Sequence, residues 1–153
     1  MFAAFVALTL TAPAADSPKE KELPEAAKKD LKKLEGKWKA VKLVVNDEER
    51  ENPMLDGEEV LLEFKGRKIA ITGKDHFDIT ELDPTTTPKL IDLKGLEDKG
   101  GIRKDTVYEG IYKIDGETLT IALYIGAGNK RPEKFESPKE SNIIVVTLKR
   151  EKN

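Results

Sequence analysis

Between Tyr108 and Leu123, apolar and polar positions alternate on either side of Asp115-Gly116. Asp-Gly tolerates the positive φ values of a two-residue type I′ turn, so the stretch predicts a β-hairpin. Counting outward from that turn, Ile114 faces Glu117, Tyr112 faces Leu119, Gly110 faces Ile121 and Tyr108 faces Leu123. These positions form one apolar face. Lys113 with Thr118, Ile111 with Thr120 and Glu109 with Ala122 form the other. A one-residue slip would turn the apolar set toward solvent, so the pattern specifies a half-buried antiparallel sheet in one register.

The period of two begins at Trp38 and predicts eight strands. They are Trp38–Val45, Glu59–Lys65, Lys68–Thr72, Phe77–Leu82, Lys89–Leu93, Thr106–Ile114, Glu117–Tyr124 and Asn142–Arg150. Gly, Pro, Asn and Asp punctuate the gaps, and no helical period intervenes, which predicts an antiparallel meander. Eight such strands can close into a barrel and so remove exposed sheet edges. A two-sheet sandwich is the alternative. The first strand carries a phase conflict: if Trp38 points inward so does Lys42, and Val41, Leu43 and Val45 point out. A β-bulge near Ala40 or Val41 would resolve it. The linker from Asn46 to Asp56 and the loop from Ile125 to Ser141 are long, and in a barrel they are expected at the mouths, where ligands are admitted.

Ahead of the strands, Ala27, Leu31 and Leu34 make one apolar stripe at helical spacing. Pro24 suits the first helical position and Gly36 suits a stop. The predicted fold is therefore all-β, an eight-stranded antiparallel barrel with a short N-terminal helix. Phe2 to Leu10 is almost wholly apolar but too short to span a bilayer, and Ala12-Pro13-Ala14 has the small-x-small form of a signal-peptidase site. Residues 1–14 read as a secretory leader, 15–23 as a polar linker and 24–153 as the barrel domain. No Lys or Arg precedes the apolar run, which leaves a buried helix as the other reading of that segment.

Charge adds exclusions. There are 27 basic and 29 acidic residues, interleaved, for a net charge of -2. No basic stripe tracks a phosphate backbone, so nucleic acid is not an expected partner. No further segment suits a membrane once the leader is cleaved, and a monomer is expected. There is no cysteine, hence no disulfide, thiolate metal site, cysteine nucleophile or lipid-anchored form. The single histidine, His76, lies in Lys74-Asp75-His76-Phe77-Asp78 and reads as an exposed residue at a strand entrance rather than a base or metal ligand. No G-x-S-x-G nucleophile elbow occurs. Asn46–Glu51 lacks calcium-loop spacing, Gly126–Arg131 lacks phosphate-loop order, and Thr85-Thr86-Thr87 between two prolines reads as turn chemistry. No catalytic residue, metal or cofactor is expected, and the protein is not read as an enzyme.

Gly36-Lys37-Trp38 resembles the G-x-W that opens the first strand of lipocalins after a short helix. In lipocalins a basic residue near the last strand covers that tryptophan and seals the barrel's closed end. Arg150 stands at the matching place and shares a strand face with Ile144, Val146 and Leu148. LEGKWKAVKL at 34–43, LDPTTTPKLIDL at 82–93, GIYKIDGETLTIAL at 110–123, RPEKF at 131–135 and VVTLKR at 145–150 occur in that order. Together they resemble the lipocalin-like domain family of exported planctomycete proteins, which has no assigned activity. Many members carry Cys where this chain has Ala122, so no thiol role transfers. The resemblance implies a lipocalin-like barrel, export to the periplasm or beyond, and a closed end built by Gly36, Trp38 and Arg150.

Two functions follow from a barrel of this size. One is a binding module for a small, apolar ligand; the other is a barrel filled by its own side chains, serving as a structural or protein-interaction domain. The expected inward set is Val60, Leu62, Phe64, Tyr108, Tyr112, Leu119, Ile121, Leu123, Ile144 and Val146. Of these, Phe64, Tyr108, Tyr112 and Ile121 are the ligand-facing candidates, with the two tyrosines as polar tips. N-terminal sequencing of the exported protein is expected to begin at Ala15 or Asp16; a protein that still begins at Met1 would contradict the leader.

Overall fold

In the computed structural model, residues 22–99, 101–128 and 130–152 are described. The expected leader at 1–14, and all but the last two residues of the linker at 15–23, lie outside them. One helix, α1 (Glu25–Leu34), precedes the strands β1 (Gly36–Val45), β2 (Glu48–Glu51), β3 (Met54–Leu55), β4 (Glu58–Glu59), β5 (Leu61–Lys65), β6 (Lys68–Ile71), β7 (Lys74–Asp83), β8 (Lys89–Gly95), β9 (Val107–Asp115), β10 (Thr118–Tyr124) and β11 (Ile143–Arg150). Eight of them pair in the order β11-β10-β9-β8-β7-β6-β5-β1, and β11 pairs back onto β1 to close an antiparallel barrel. β2 is an extra strand on β1, and β3 with β4 forms a small separate hairpin. β2 falls in the stretch expected as linker; its residues, Glu48-Glu49-Arg50-Glu51, carry no alternation and are all exposed.

The hairpin that anchors the sequence reading is present with a shifted turn. Asp115 pairs with Thr118, Ile114 with Leu119, Tyr112 with Ile121 and Gly110 with Leu123. The two-residue loop is therefore Gly116-Glu117, with only Gly116 at positive φ (60°), the pattern of a type II′ turn rather than I′. Each expected partner moves by two residues. An even shift preserves sides, so the apolar face is unchanged. A type I′ pattern occurs elsewhere: Asn46 (φ 53°) and Asp47 (φ 64°) link Val45 to its partner Glu48.

The phase conflict in β1 is resolved by a bulge. Registers against β11 jump between Ala40 and Lys42, leaving Val41 as the extra residue. Trp38 and Ala40 are buried before it. After it Leu43 faces the barrel interior, while Lys42 points out to pair with Glu49 at 3.2 Å.

One end of the barrel is sealed. The helix has 10 residues, too few to be stable alone in water. Ala27 and Leu34 are fully buried, and the third buried position is Asp30 rather than the expected Leu31. The Asp30 carboxylate accepts hydrogen bonds from the Tyr112 hydroxyl at 2.8 Å and the Lys89 ammonium at 2.9 Å. Burial pushes this carboxyl up, but Lys89 and Tyr112 outweigh it and hold it below the ordinary range; burial and the same contact push the Tyr112 phenol well up. At the helix C-terminus the last carbonyls have no partners within the helix. The Trp38 indole donates to the Leu34 carbonyl at 2.8 Å. The Arg150 guanidinium donates to the Glu35 carbonyl at 2.9 Å and to the Lys33 carbonyl. Arg150 and Trp38 are direct cross-strand partners, and the guanidinium lies 4.2 Å from the indole ring centroid. Gly36 sits at φ 116°, and a Cβ there would come within 3.2 Å of the same guanidinium.

The outside of the barrel carries a second apolar cluster. Val44, Val145, Ala122, Ile111 and Leu90 are successive cross-strand partners across β1, β11, β10, β9 and β8. The chain from Arg131 onward covers this row, with Phe135 packed against it. Arg131 fastens this strap by donating to the Asp92 carboxylate at 2.6 Å and the Gly110 carbonyl at 2.7 Å. Ser137 ties its far end to the β1–β2 turn, accepting from the Asn46 amide at 3.0 Å. The loop expected wholly at the mouth is thus mostly an outer strap, because the strands beneath it have apolar residues on both faces.

Replacing Arg150 by Ala is expected to lower stability by about 1–3 kcal/mol, through lost stacking and helix carbonyls left without donors. Arg150→Lys is expected to recover only part, since an ammonium cannot stack as a plane. Melting curves identical to wild type for both variants would contradict this role.

Candidate functional site

The opposite end of the barrel is open. Inside it lies a cavity of about 260 Å³ with an almost wholly apolar lining. Of the four ligand-facing candidates, Tyr108 and Ile121 line it. Phe64 and Tyr112 do not. They are at most 1% exposed and pack with Trp38, Leu119 and Leu148 in the floor. The inward alternation is right for these residues, but alternation gives side and not depth along the barrel. Leu119, at the first turn-side positions of β10, falls in the floor for the same reason, whereas Val60, Leu62, Leu123, Ile144 and Val146 reach the cavity.

Neither tyrosine presents a free hydroxyl to the cavity. Tyr112 is held by Asp30 at the closed end. The Tyr108 hydroxyl accepts from the Arg103 amide at 2.7 Å. It therefore fastens the β8–β9 connection, whose Gly101 and Ile102 line the cavity and act as its lid. Further contacts hold this lid to β7 and β8. The Leu96 amide donates to the His76 carbonyl at 3.0 Å, the Gly95 amide to the Thr106 carbonyl at 2.9 Å and the Asp105 amide to the Gly95 carbonyl at 2.8 Å. Lys99 and Ile102 bridge to each other across the lid's own turn. Gly95 is required for this close approach: a Cβ there would collide with the Arg103 carbonyl oxygen and come within 2.9 Å of the Ile102 side chain.

His76 is buried, not exposed as expected from its place beside Lys74 and Asp75. Glu97 of the lid folds over it, and its Oε1 faces His76 Nδ1 at 3.1 Å. Both atoms are cut off from solvent, and among the described residues neither has hydrogen-bond geometry to a partner. No local signal could have shown this burial, because it depends on a lid residue 21 positions later (97 − 76). Among the described residues no three His, Cys, Asp or Glu side chains come together to hold a metal ion. Asp83, at the end of β7, accepts hydrogen bonds from the Thr85 amide and hydroxyl and thereby shapes the Thr85-Thr86-Thr87 turn.

The arrangement can enclose a small apolar body. Among the described residues it offers no nucleophile–base pair inside the cavity and, with the Tyr108 hydroxyl engaged, no polar side chain that turns into it. No protein-family model, curated protein or solved structure matches the chain. Substituting Gly95→Ala is expected to loosen the lid without unfolding the barrel, so that trypsin cleaves after Arg103 and Lys104 faster while circular dichroism is unchanged. Cleavage at the wild-type rate would show that the lid does not depend on that close approach.

Proposed function

We propose that this protein is an exported, lipocalin-like binding module for a small apolar ligand held at the open end of its barrel. The observation that carries the reading is the cavity of about 260 Å³. A barrel of eight strands can be filled by side chains or hold one small molecule, and here the side chains at the open end leave a space unfilled. The volume lies just under the roughly 300 Å³ at which pockets for drug-sized ligands begin, so the ligand is smaller than those. The apolar run and small-x-small site near the N-terminus support export to the periplasm or outside the cell. The G-x-W motif, the preceding helix and the Arg150–Trp38 stack support the lipocalin likeness. The fold by itself does not assign a function.

One observation favours a second reading, a structural or protein-interaction domain without a ligand. The hydroxyl of Tyr108 is engaged by the lid, and among the described residues no set of polar groups converges on the cavity. A ligand site of ordinary specificity would have a few.

Toluene separates the two readings. Titrated into the isotope-labelled protein, it is expected to shift the methyl signals of Ile121 and Leu123 in a saturable way. Ile121→Phe is expected to abolish that shift by filling the space, at a cost of about 1–3 kcal/mol in stability. Methyl signals that do not move in the wild type would sink the binding reading.

A further inference from the structure

The main sheet closes on itself through β11 and β1, and β2 is the strand that ends it. β2 pairs with β1 on one side and, among the described residues, with no strand on the other. The Asn52 amide donates to the Val41 carbonyl at 2.8 Å, which sets the phase of the pair. In an antiparallel ladder the backbone groups of successive residues alternate between facing the partner strand and facing away from it. Glu48, Arg50 and Asn52 therefore turn theirs toward β1, and Glu49 and Glu51 turn theirs outward. No described backbone group receives those outward groups. Every side chain of β2 is exposed, so the edge is open. It is also acidic. Residues 46–59, which hold β2 and the β3–β4 hairpin, carry seven carboxylates and one cation, Arg50, in a chain whose net charge is only -2. Glu49 meets Lys42 at 3.2 Å and Glu59 meets Lys39 at 2.8 Å. The other five carboxylates have no ion pair among the described residues. Met54 and Leu55 are exposed too and give the same segment apolar area to bury.

We infer that the free edge of β2 docks a basic, extended segment of another protein, which joins the sheet as a further strand. Strand addition takes its affinity from main-chain hydrogen bonds and its selectivity from alternate side chains. The outward N–H and C=O groups of Glu49 and Glu51 supply the first. Charge complementarity supplies the second. Glu51 is the cross-strand partner of Lys42, so Glu49 and Glu51 project on the outer surface with that lysine. Every second residue of an added strand faces the same surface, and lysine or arginine there meets these carboxylates as a cross-strand pair. A second copy of this chain is the wrong occupant, because it would bring one surplus of carboxylates against another; like charge is a means of keeping a free edge from pairing with itself. The site does not depend on what the barrel holds, since no residue of β2 lines the cavity.

Short synthetic peptides titrated into the isotope-labelled protein test pairing and charge separately. A peptide alternating lysine and threonine is expected to shift the amide signals of Glu49 and Glu51 in a saturable way. The same peptide N-methylated at every peptide bond keeps its charge and loses its donors, and is expected to bind about tenfold more weakly, the size of one or two hydrogen bonds. A peptide alternating glutamate and threonine is expected to leave both signals in place. Glu51→Pro removes an outward N–H that β1 does not use, a position where an edge strand tolerates proline. It is expected to weaken the lysine peptide about tenfold while the melting curve stays close to wild type; should it unfold the edge, the N-methylated peptide still decides the matter on the unaltered protein. No shift with the lysine peptide, or equal binding of its N-methylated form, would overturn strand docking. Equal binding of the glutamate peptide would overturn the basic partner. A dimer in sedimentation that Glu51→Pro dissociates would give the edge to a second copy and overturn the proposal as well.

Discussion

The contact on which the rest of this structure depends is the Arg150 guanidinium laid over the Trp38 indole and hydrogen-bonded to the last carbonyls of α1. It joins the two strands whose pairing closes the barrel, and it does so at the point where the helix ends. Three needs are met there together. The indole loses its contact with water, the helix carbonyls gain donors, and a helix too short to persist alone acquires a place to dock. Asp30, gripped by Tyr112 and Lys89, fixes the other side of the helix to β8 and β9. The floor of the barrel is a packed layer of large side chains locked by charge-assisted bonds.

The other end is built differently. The lid is held to β7, β8 and Tyr108 by hydrogen bonds, and the side chains that line the cavity beneath it, Phe77 and Tyr108 among them, leave it unfilled. The outer strap plays a related part. By covering the row from Val44 to Leu90 and anchoring Arg131 on Asp92, it shields strands that are apolar on both faces and would otherwise invite association. The charge-assisted contacts lie in the floor and the outer wall, and the cavity lies at the mouth.

How much of this is legible in the chain depends on how local each signal is. The alternation around Gly116 fixes which side chains point inward, and that survives even though the turn lies one residue later than Asp-Gly suggests. The conflict between Trp38 and Lys42 demands a bulge, and one is found at Val41. The alternation of the last strand places Arg150 on the face that meets Trp38. The features that escaped are those made by distant partners. Asp30 is buried because Lys89 and Tyr112 arrive from strands far along the chain, and His76 is buried because Glu97 folds over it. β2 escaped for another reason, since a wholly polar edge strand has no period to read. Depth is the remaining blind spot: Phe64 and Tyr112 share the inward side with Tyr108 and Ile121, yet lie in the floor rather than the cavity.

A floor that opens less readily than the mouth is the expectation that amide hydrogen exchange, which reports local opening residue by residue, tests most directly. The amides of Trp38, Tyr112, Leu119 and Leu148 are expected to exchange only through global unfolding. Those of Leu96, Ile102 and Asp105 are expected to exchange far faster, through openings that leave the barrel intact. Equal protection at both ends, or faster exchange in the floor than in the lid, would contradict the division of labour on which the whole interpretation stands.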